Sequence, residues 1–155
     1  MTRTLLVDGN SLLNTGFHGI KNIGGLYHFL NTLRKLIDTY ILTKIVVCWD
    51  GEDNTKPRLE LYPDYKLNRR TKPKSEYDLQ SYARQKLRVQ EYLEELYVRQ
   101  ATFKWCEADD CIAHYCKKTT QEEIIVLTSD RDLLQLISKN VSVHIISLNK
   151  LFKDG

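Results

Sequence analysis

The sequence predicts an α/β fold, a mostly parallel central sheet flanked by helices, with a basic loop-and-helix excursion set into it. Three observations carry this. Apolar runs at Thr4–Val7, Lys44–Trp49 and Glu123–Thr128 each lead into an aspartate: Asp8, Asp50 and Asp130. Segments with apolar residues at helical spacing separate those runs. A strand, a helix and a further strand in succession imply right-handed crossovers and a parallel sheet, whose strand ends share one edge. Finally, Glu107, Asp109 and Asp110 open one of the helical segments, and helix starts lie on that same edge.

Thr4 to Asp8 reads as a buried strand, followed by a turn at Gly9 and Asn10 and a loop through Phe17, His18 and Gly19. From Gly24 to Tyr40, residues Leu26, Phe29, Leu30, Leu33, Leu36, Ile37 and Tyr40 repeat at helical spacing. Lys44 to Gly51 repeats the design of the first strand, with an apolar run, Asp and Gly. Between Glu52 and Ser75 periodicity dissolves, and Pro57, Pro63 and Pro73 argue against regular structure there. Glu76 to Val98 is a long helical pattern with Leu79, Tyr82, Val89, Leu93 and Leu96 on its apolar stripe. A short strand near Ala101, the acidic helix from Glu107 and the strand ending at Asp130 follow. The strand runs directly into a helix start, for which Ser129 is an expected N-cap with Asp132 as reciprocal partner. Val141 to Ile146 is the last expected strand.

At 155 residues the chain suffices for one domain with a sizeable core, and 42% hydrophobic with 28% charged residues is ordinary for a globular protein. No apolar run approaches 18 residues, and the amino terminus turns acidic too early for a signal peptide. Cys48, Cys106, Cys111 and Cys116 form no C-x-x-C pair, and His114 completes no zinc spacing, so buried reduced thiols in a cytoplasmic protein are expected.

Acidic residues in a first helical turn complement the helix dipole. Three within four positions go beyond that need, because like charges about 4 Å apart repel by roughly 4 kcal/mol at an effective dielectric near 20. The topology brings Asp8, Asp50, Glu107, Asp109, Asp110, Asp130 and Asp132 toward one cleft. An all-oxygen ligand set favours hard cations, Mg²⁺ or Mn²⁺, and a pair of such ions suits phosphoryl transfer to water. Beside that edge, Lys56, Arg58, Lys66, Arg69, Arg70, Lys72 and Lys74 interleave with Tyr62 and Tyr65. Most charge runs are solvated loops, yet cations among flat rings also fit single-stranded nucleic acid.

Five motifs in order then resemble the structure-specific 5′-nucleases, the flap endonucleases and 5′–3′ exonucleases that include phage enzymes and the amino-terminal domain of bacterial DNA polymerase I. They are Leu6 to Asn10 with Phe17 to Gly19, Val47 to Gly51, Arg58 with Pro63 to Arg69, Glu107 to Ala113, and Thr128 to Leu136. The resemblance implies a PIN-like domain over 1–155 with an arch over about 52–98. It implies that Asp8, Asp50, Glu107 and Asp109 hold a first Mg²⁺ or Mn²⁺ with Asp110 close by, and that Asp130 and Asp132 serve a second. Lys66 and Arg69 would place the scissile phosphate at the base of the arch, through which a single-stranded 5′ end or flap of DNA threads. Tyr65 would stack on a terminal base, while Arg70, Lys72, Lys74, Arg84, Lys86 and Arg88 would contact the backbone. His18 falls in the family's substrate-contact region, where packing is an equally good account.

Family members continue into a helix–hairpin–helix region that grips duplex DNA and adds Asp ligands to the second metal. No such pattern precedes Gly155, so the expectation is one intact metal site, one incomplete, and weak cleavage unless a C-terminal polypeptide is supplied. The expected setting is the cytoplasm of a bacterial or phage-infected cell. Two other readings stay open: a PIN-type ribonuclease, which lacks the Pro-x-Tyr-Lys-x-Asn-Arg arch sequence, and a non-catalytic DNA-binding or docking module.

Overall fold

The computed structural model describes residues 1–18, 24–68 and 75–155. Six strands form one sheet: β1 (Arg3–Asp8), β2 (Lys44–Trp49), β3 (Arg99–Thr102), β4 (Glu123–Thr128), β5 (Val141–Ile145) and β6 (Lys150–Phe152), in spatial order β3-β2-β1-β4-β5-β6. The first five are mutually parallel, and β6 returns antiparallel beside β5. Strand β6 lies beyond the last strand expected from sequence; Asn149, at φ 45°, makes the tight reversal into it. The chain runs outward from β1 to β3, then resumes on the other side of β1 with β4. Order thus reverses at β1, and Asp8 ends the strand at that switch point, where open α/β sheets place their crevices.

Alternation along the strands sorts the core into two layers. Leu5, Val7, Val47, Trp49, Ile125 and Leu127 face one side and meet α1 (Gly9–Phe17), α2 (Gly24–Tyr40) and α4 (Glu76–Glu95). Leu6, Val46, Cys48, Val126 and Val143 face the other and meet α5 (Ala108–Lys118) and the 3₁₀ turn Arg131–Leu136. Cys48 and Cys116 are buried, whereas Cys106 and Cys111 are partly exposed, so burial of all four thiols does not hold; none is in a disulfide.

Several local expectations are corrected. The turn and loop after Asp8 are instead helix α1, which leaves β1 without a connection: Asp8 caps it by accepting from the Ser11 N–H, and Leu12, Leu13 and Phe17 bury its inner face. The prolines do not abolish structure between Glu52 and Ser75, because Pro57 sits in the first turn of the short helix α3 (Lys56–Leu61), where a missing N–H is harmless. The buried stripe of α4 is Ser81, Gln85, Val89 and Leu93, while Leu79 and Leu96 are exposed. Gln85 is inside because its Oε1 accepts the Leu26 N–H, an otherwise unpaired donor in the first turn of α2. Asp130, rather than Ser129, caps the turn after β4 by accepting from the Asp132 N–H.

The loops that follow β2 and β3 are fastened to each other. Gly51 N–H donates to the Cys106 carbonyl at 2.9 Å and Trp105 N–H to the Glu52 carbonyl at 2.9 Å. A Cβ on Gly51 would stand 1.8 Å from the Phe103 carbonyl oxygen, so only glycine fits. Gly51→Ala is expected to lower stability by about 2 kcal/mol, within the range for overpacking, read as a drop in the urea midpoint with an unchanged slope.

Candidate metal centre and nucleic-acid edge

Each carboxylate at the edge is held by the element that delivers it. Asp8 is 7% exposed; its Oδ2 accepts from Ser11 Oγ at 2.7 Å and Thr128 Oγ1 at 2.9 Å. Burial pushes its carboxyl above the usual range, those hydrogen bonds oppose the shift, and the Asp50 charge adds to it. Asp50 leaves β2 and accepts from the Ala108 N–H at 2.7 Å, which ties it to the first turn of α5. Its own N–H donates to Asn10 Oδ1 at 2.9 Å, and Asn10 Nδ2 reaches the Tyr82 hydroxyl of α4 at 3.3 Å. Burial, with the charges of Asp50 and Asp8, pushes the Tyr82 phenol up to about 12.

Glu107 and Asp110 form a capping box at the start of α5. Glu107 is also the hub of an ion cluster: Lys66 Nζ lies 2.8 Å away, the Tyr65 hydroxyl donates at 3.0 Å, and Arg58 Nη1 approaches to 3.2 Å. Arg58 additionally forks onto both Asp110 oxygens, at 2.9 and 2.5 Å. Burial pulls the Lys66 ammonium down, but the Glu107 hydrogen bond and charge outweigh it and hold the group above its ordinary value. The Asp110 hydrogen bond likewise raises Arg58. Asp109 is treated differently. Its Oδ1 is buried with no hydrogen-bond donor, and the Arg58 guanidinium stands 3.8 Å off. Burial, then the charges of Glu107 and Asp110, push its carboxyl up to about 6.

The structure therefore divides the seven expected acidic ligands. Asp8 and Asp50 interact at the ends of β1 and β2, and Glu107, Asp109 and Asp110 form the cluster on α5. Asp130 is half-buried and engaged as a cap, and Asp132 is exposed. Among the described residues, no three acidic, histidine or cysteine side chains converge into a ready ion cage. In the structure these side chains are engaged separately: Arg58 and Lys66 neutralise the α5 cluster, and backbone N–H groups take up Asp50 and Asp130. The donor set still fits a hard cation, because the orphaned Asp109 oxygen beside two other carboxylates lacks a positive partner within hydrogen-bonding reach.

Of the expected nucleic-acid contacts, Tyr65 and Lys66 sit on Glu107 as described; Arg69, Arg70, Lys72 and Lys74 lie outside the described residues. On α4, Arg84 is exposed, Lys86 Nζ lies 5.5 Å over the Trp49 ring, and Arg88 is occupied locally by Glu91 and Tyr92. His18 is exposed and sits edge-on to Phe17. Sequence reasoning did not place Arg58, Asn10 or Tyr82 as partners of the carboxylates. Arg58 carried a weak signal, one cation of a basic run; the Asn10–Tyr82 contact spans 72 positions and carried none.

Two variants of the ion-free protein should move oppositely. An Asp titrating near 3.8 when unfolded and about 6 when folded destabilises fully above pH 6, and relief comes as pH falls toward 4. Asp109→Asn should thus stabilise by about 1 kcal/mol at pH 8, after discounting for solvent screening, with the gain gone at pH 4; urea midpoints measure it. Arg58→Ala leaves Asp110 uncompensated and Glu107 with Lys66 as its one charged partner among the described residues, and should destabilise by about 2 kcal/mol, with a larger thermal stabilisation by Mn²⁺ than the parent shows.

The family described as 5′–3′ exonuclease, N-terminal resolvase-like domain, matches residues 3–154. A Bacillus subtilis protein named 5′–3′ exonuclease is 34% identical over 160 residues, covering 93% of this chain and 51% of that protein. A DNA polymerase I of Caldicellulosiruptor bescii is 29% identical over 155 residues, covering 94% of this chain and 17% of that one. The chain spans about half the length of the exonucleases it matches. Among solved structures, the phage T5 5′-exonuclease with zinc ions bound superposes with a TM-score of 0.79 at 22% identity, over 97% of this chain and 58% of that one. A T5 flap endonuclease complex with DNA and metal ions gives 0.74 at 18% identity, over 97% and 57%. These likenesses share the six-stranded, mostly parallel sheet. The chain belongs to the 5′–3′ exonuclease family and carries its amino-terminal resolvase-like domain.

Proposed function

We propose that this chain is the catalytic half of a 5′–3′ exonuclease or flap endonuclease that hydrolyses DNA phosphodiesters with Mg²⁺ or Mn²⁺, in cytoplasmic replication or repair. The observation that carries the reading is the buried Asp109 oxygen without a donor, beside Glu107 and Asp110, in a chain matched by the family over 3–154. Asp8, Asp50, Glu107 and Asp109 would hold the first ion, with Asp110 adjoining. Asp130 and Asp132 would hold the second together with oxygen ligands from outside residues 1–155. Bound there, such ions supply Lewis acidity and lower the acidity threshold of water for an in-line displacement.

The protein's own side chains do the remaining work. Lys66 and Arg58 now neutralise Glu107 and Asp110. With a cation held by Asp8, Asp50, Glu107 and Asp109, Lys66 and Arg58 would be free to meet a phosphate oxygen. Lys66 enters this exchange protonated, because Glu107 holds it above its ordinary value. Arg69 would act beside it, and Tyr65, released from Glu107, would offer its ring to a terminal base. Ser11 and Thr128 keep Asp8 oriented, and Asn10 keeps the Asp50 backbone in place.

The test is titration calorimetry with Mn²⁺ and cleavage of a 5′-flap DNA, with a matched RNA flap alongside. Expected are Mn²⁺ binding, slow cleavage favouring DNA, faster cleavage when a C-terminal polypeptide from the same protein is added, and at least 100-fold loss in Asp50→Ala with DNA binding retained. Preference for RNA would favour a PIN-type ribonuclease. DNA binding with no cleavage under any of these conditions would leave a binding module.

A further inference from the structure

The two fastened loops present a feature that the acidic cluster does not use. Asp50 leads into Gly51 and Glu52, and Phe103 to Cys106 lead into Glu107, so both flank candidate metal ligands. Their backbone hydrogen bonds, with Cys106 N–H donating to the Phe103 carbonyl at 3.2 Å, turn the chain so sharply that Trp105 adopts φ 71°. That left-handed conformation disfavours every residue with a side chain, a bulky aromatic most of all. The indole still keeps 42% of its surface exposed, and Phe103 beside it is 58% exposed. Two lysines from different elements attend the indole, Lys56 Nζ at 4.8 Å and Lys104 Nζ at 5.0 Å from the ring centroid. Among the described residues neither lysine is in a salt bridge.

A solvated cation–π pair accounts for one lysine near one ring. It does not account for a strained backbone that leaves a large aromatic part-exposed between two ammonium groups without carboxylate partners, at the rim of an acidic edge. Persistent strain of this kind belongs where a site needs the group displayed. We propose that Trp105, Lys56 and Lys104 form a stacking site for an unpaired base of single-stranded DNA. The base lies on the indole, and the flexible ammonium groups swing from the ring to the phosphates on either side. Indole stacking is tolerant of sequence, and the lysines add a salt-dependent hold on the backbone. The site rests on the nuclease reading only in taking the DNA strand to be substrate, and it would hold that strand beside Asp50 and Glu107.

The experiment uses the full chain in EDTA, so that no hydrolysis intervenes, with an oligothymidine and an abasic strand of equal length. Trp49 is 1% exposed, so quenching of tryptophan fluorescence reports on Trp105. Expected are quenching by oligothymidine, about tenfold weaker binding in Trp105→Gly, near-parental binding in Trp105→Phe, and little effect of Trp105→Gly on the abasic strand. Trp105→Gly should also raise the melting temperature by relieving the left-handed strain, the opposite of what a structural tryptophan gives. Paired Lys56→Ala and Lys104→Ala changes should flatten the log–log salt slope by about 1.4. Unchanged affinity in Trp105→Gly, or an equal loss on the abasic strand, overturns the site. Flap cleavage run in parallel keeps the two readings apart. Cleavage with no effect of Trp105 on binding removes this site and leaves the nuclease; Trp105-dependent binding without cleavage does the reverse.

Discussion

Repulsion among carboxylates at one end of a parallel sheet is the constraint to which the rest of this molecule answers. Parallel topology, required by the βαβ order, puts strand ends and helix starts together. Each acidic side chain there must be neutralised, hydrogen-bonded or protonated. Two of these solutions appear in full, Arg58 and Lys66 on the α5 cluster and hydroxyl and backbone donors on Asp8, Asp50 and Asp130, while Asp109 is pushed toward the third. The segment from Lys56 to Lys66 is thereby tied to the acidic edge by charge rather than by a shared hydrophobic core, and α3 buries no residue fully.

Much of this was legible in the sequence because the strongest signals were local. Apolar runs ending in Asp gave β1, β2 and β4, and the Glu107 to Asp110 cluster marked the start of α5. Helix α1 was hidden because Asp8, Gly9, Asn10 and Ser11 have the chemistry of a turn as well as of a helix cap. The polar stripe of α4 was hidden for a different reason: Gln85 is buried to satisfy a donor on α2, a demand created only by docking two helices 59 positions apart.

Within the site, the types of the carboxylates were legible and their partners were not. Nothing near Arg58 in sequence announces a fork onto Asp110, 52 residues away. Nor does spacing reveal that Asp130 serves its own turn as a cap while Asp132 faces water. Composition names the charges; only tertiary contact decides which of them are already spoken for.

The contact between Asn10 and Tyr82 falls where α4 changes from exposed to buried. The later turns of α4 are locked into the core by Val89 and Leu93, both 0% exposed, whereas its early turns expose Tyr77 and Leu79. Tyr82 stands at the transition, and behind it Asn10 grips the peptide of Asp50. Two hydrogen bonds thus make the orientation of α4 at Tyr82 and the backbone that carries Asp50 parts of one connected arrangement.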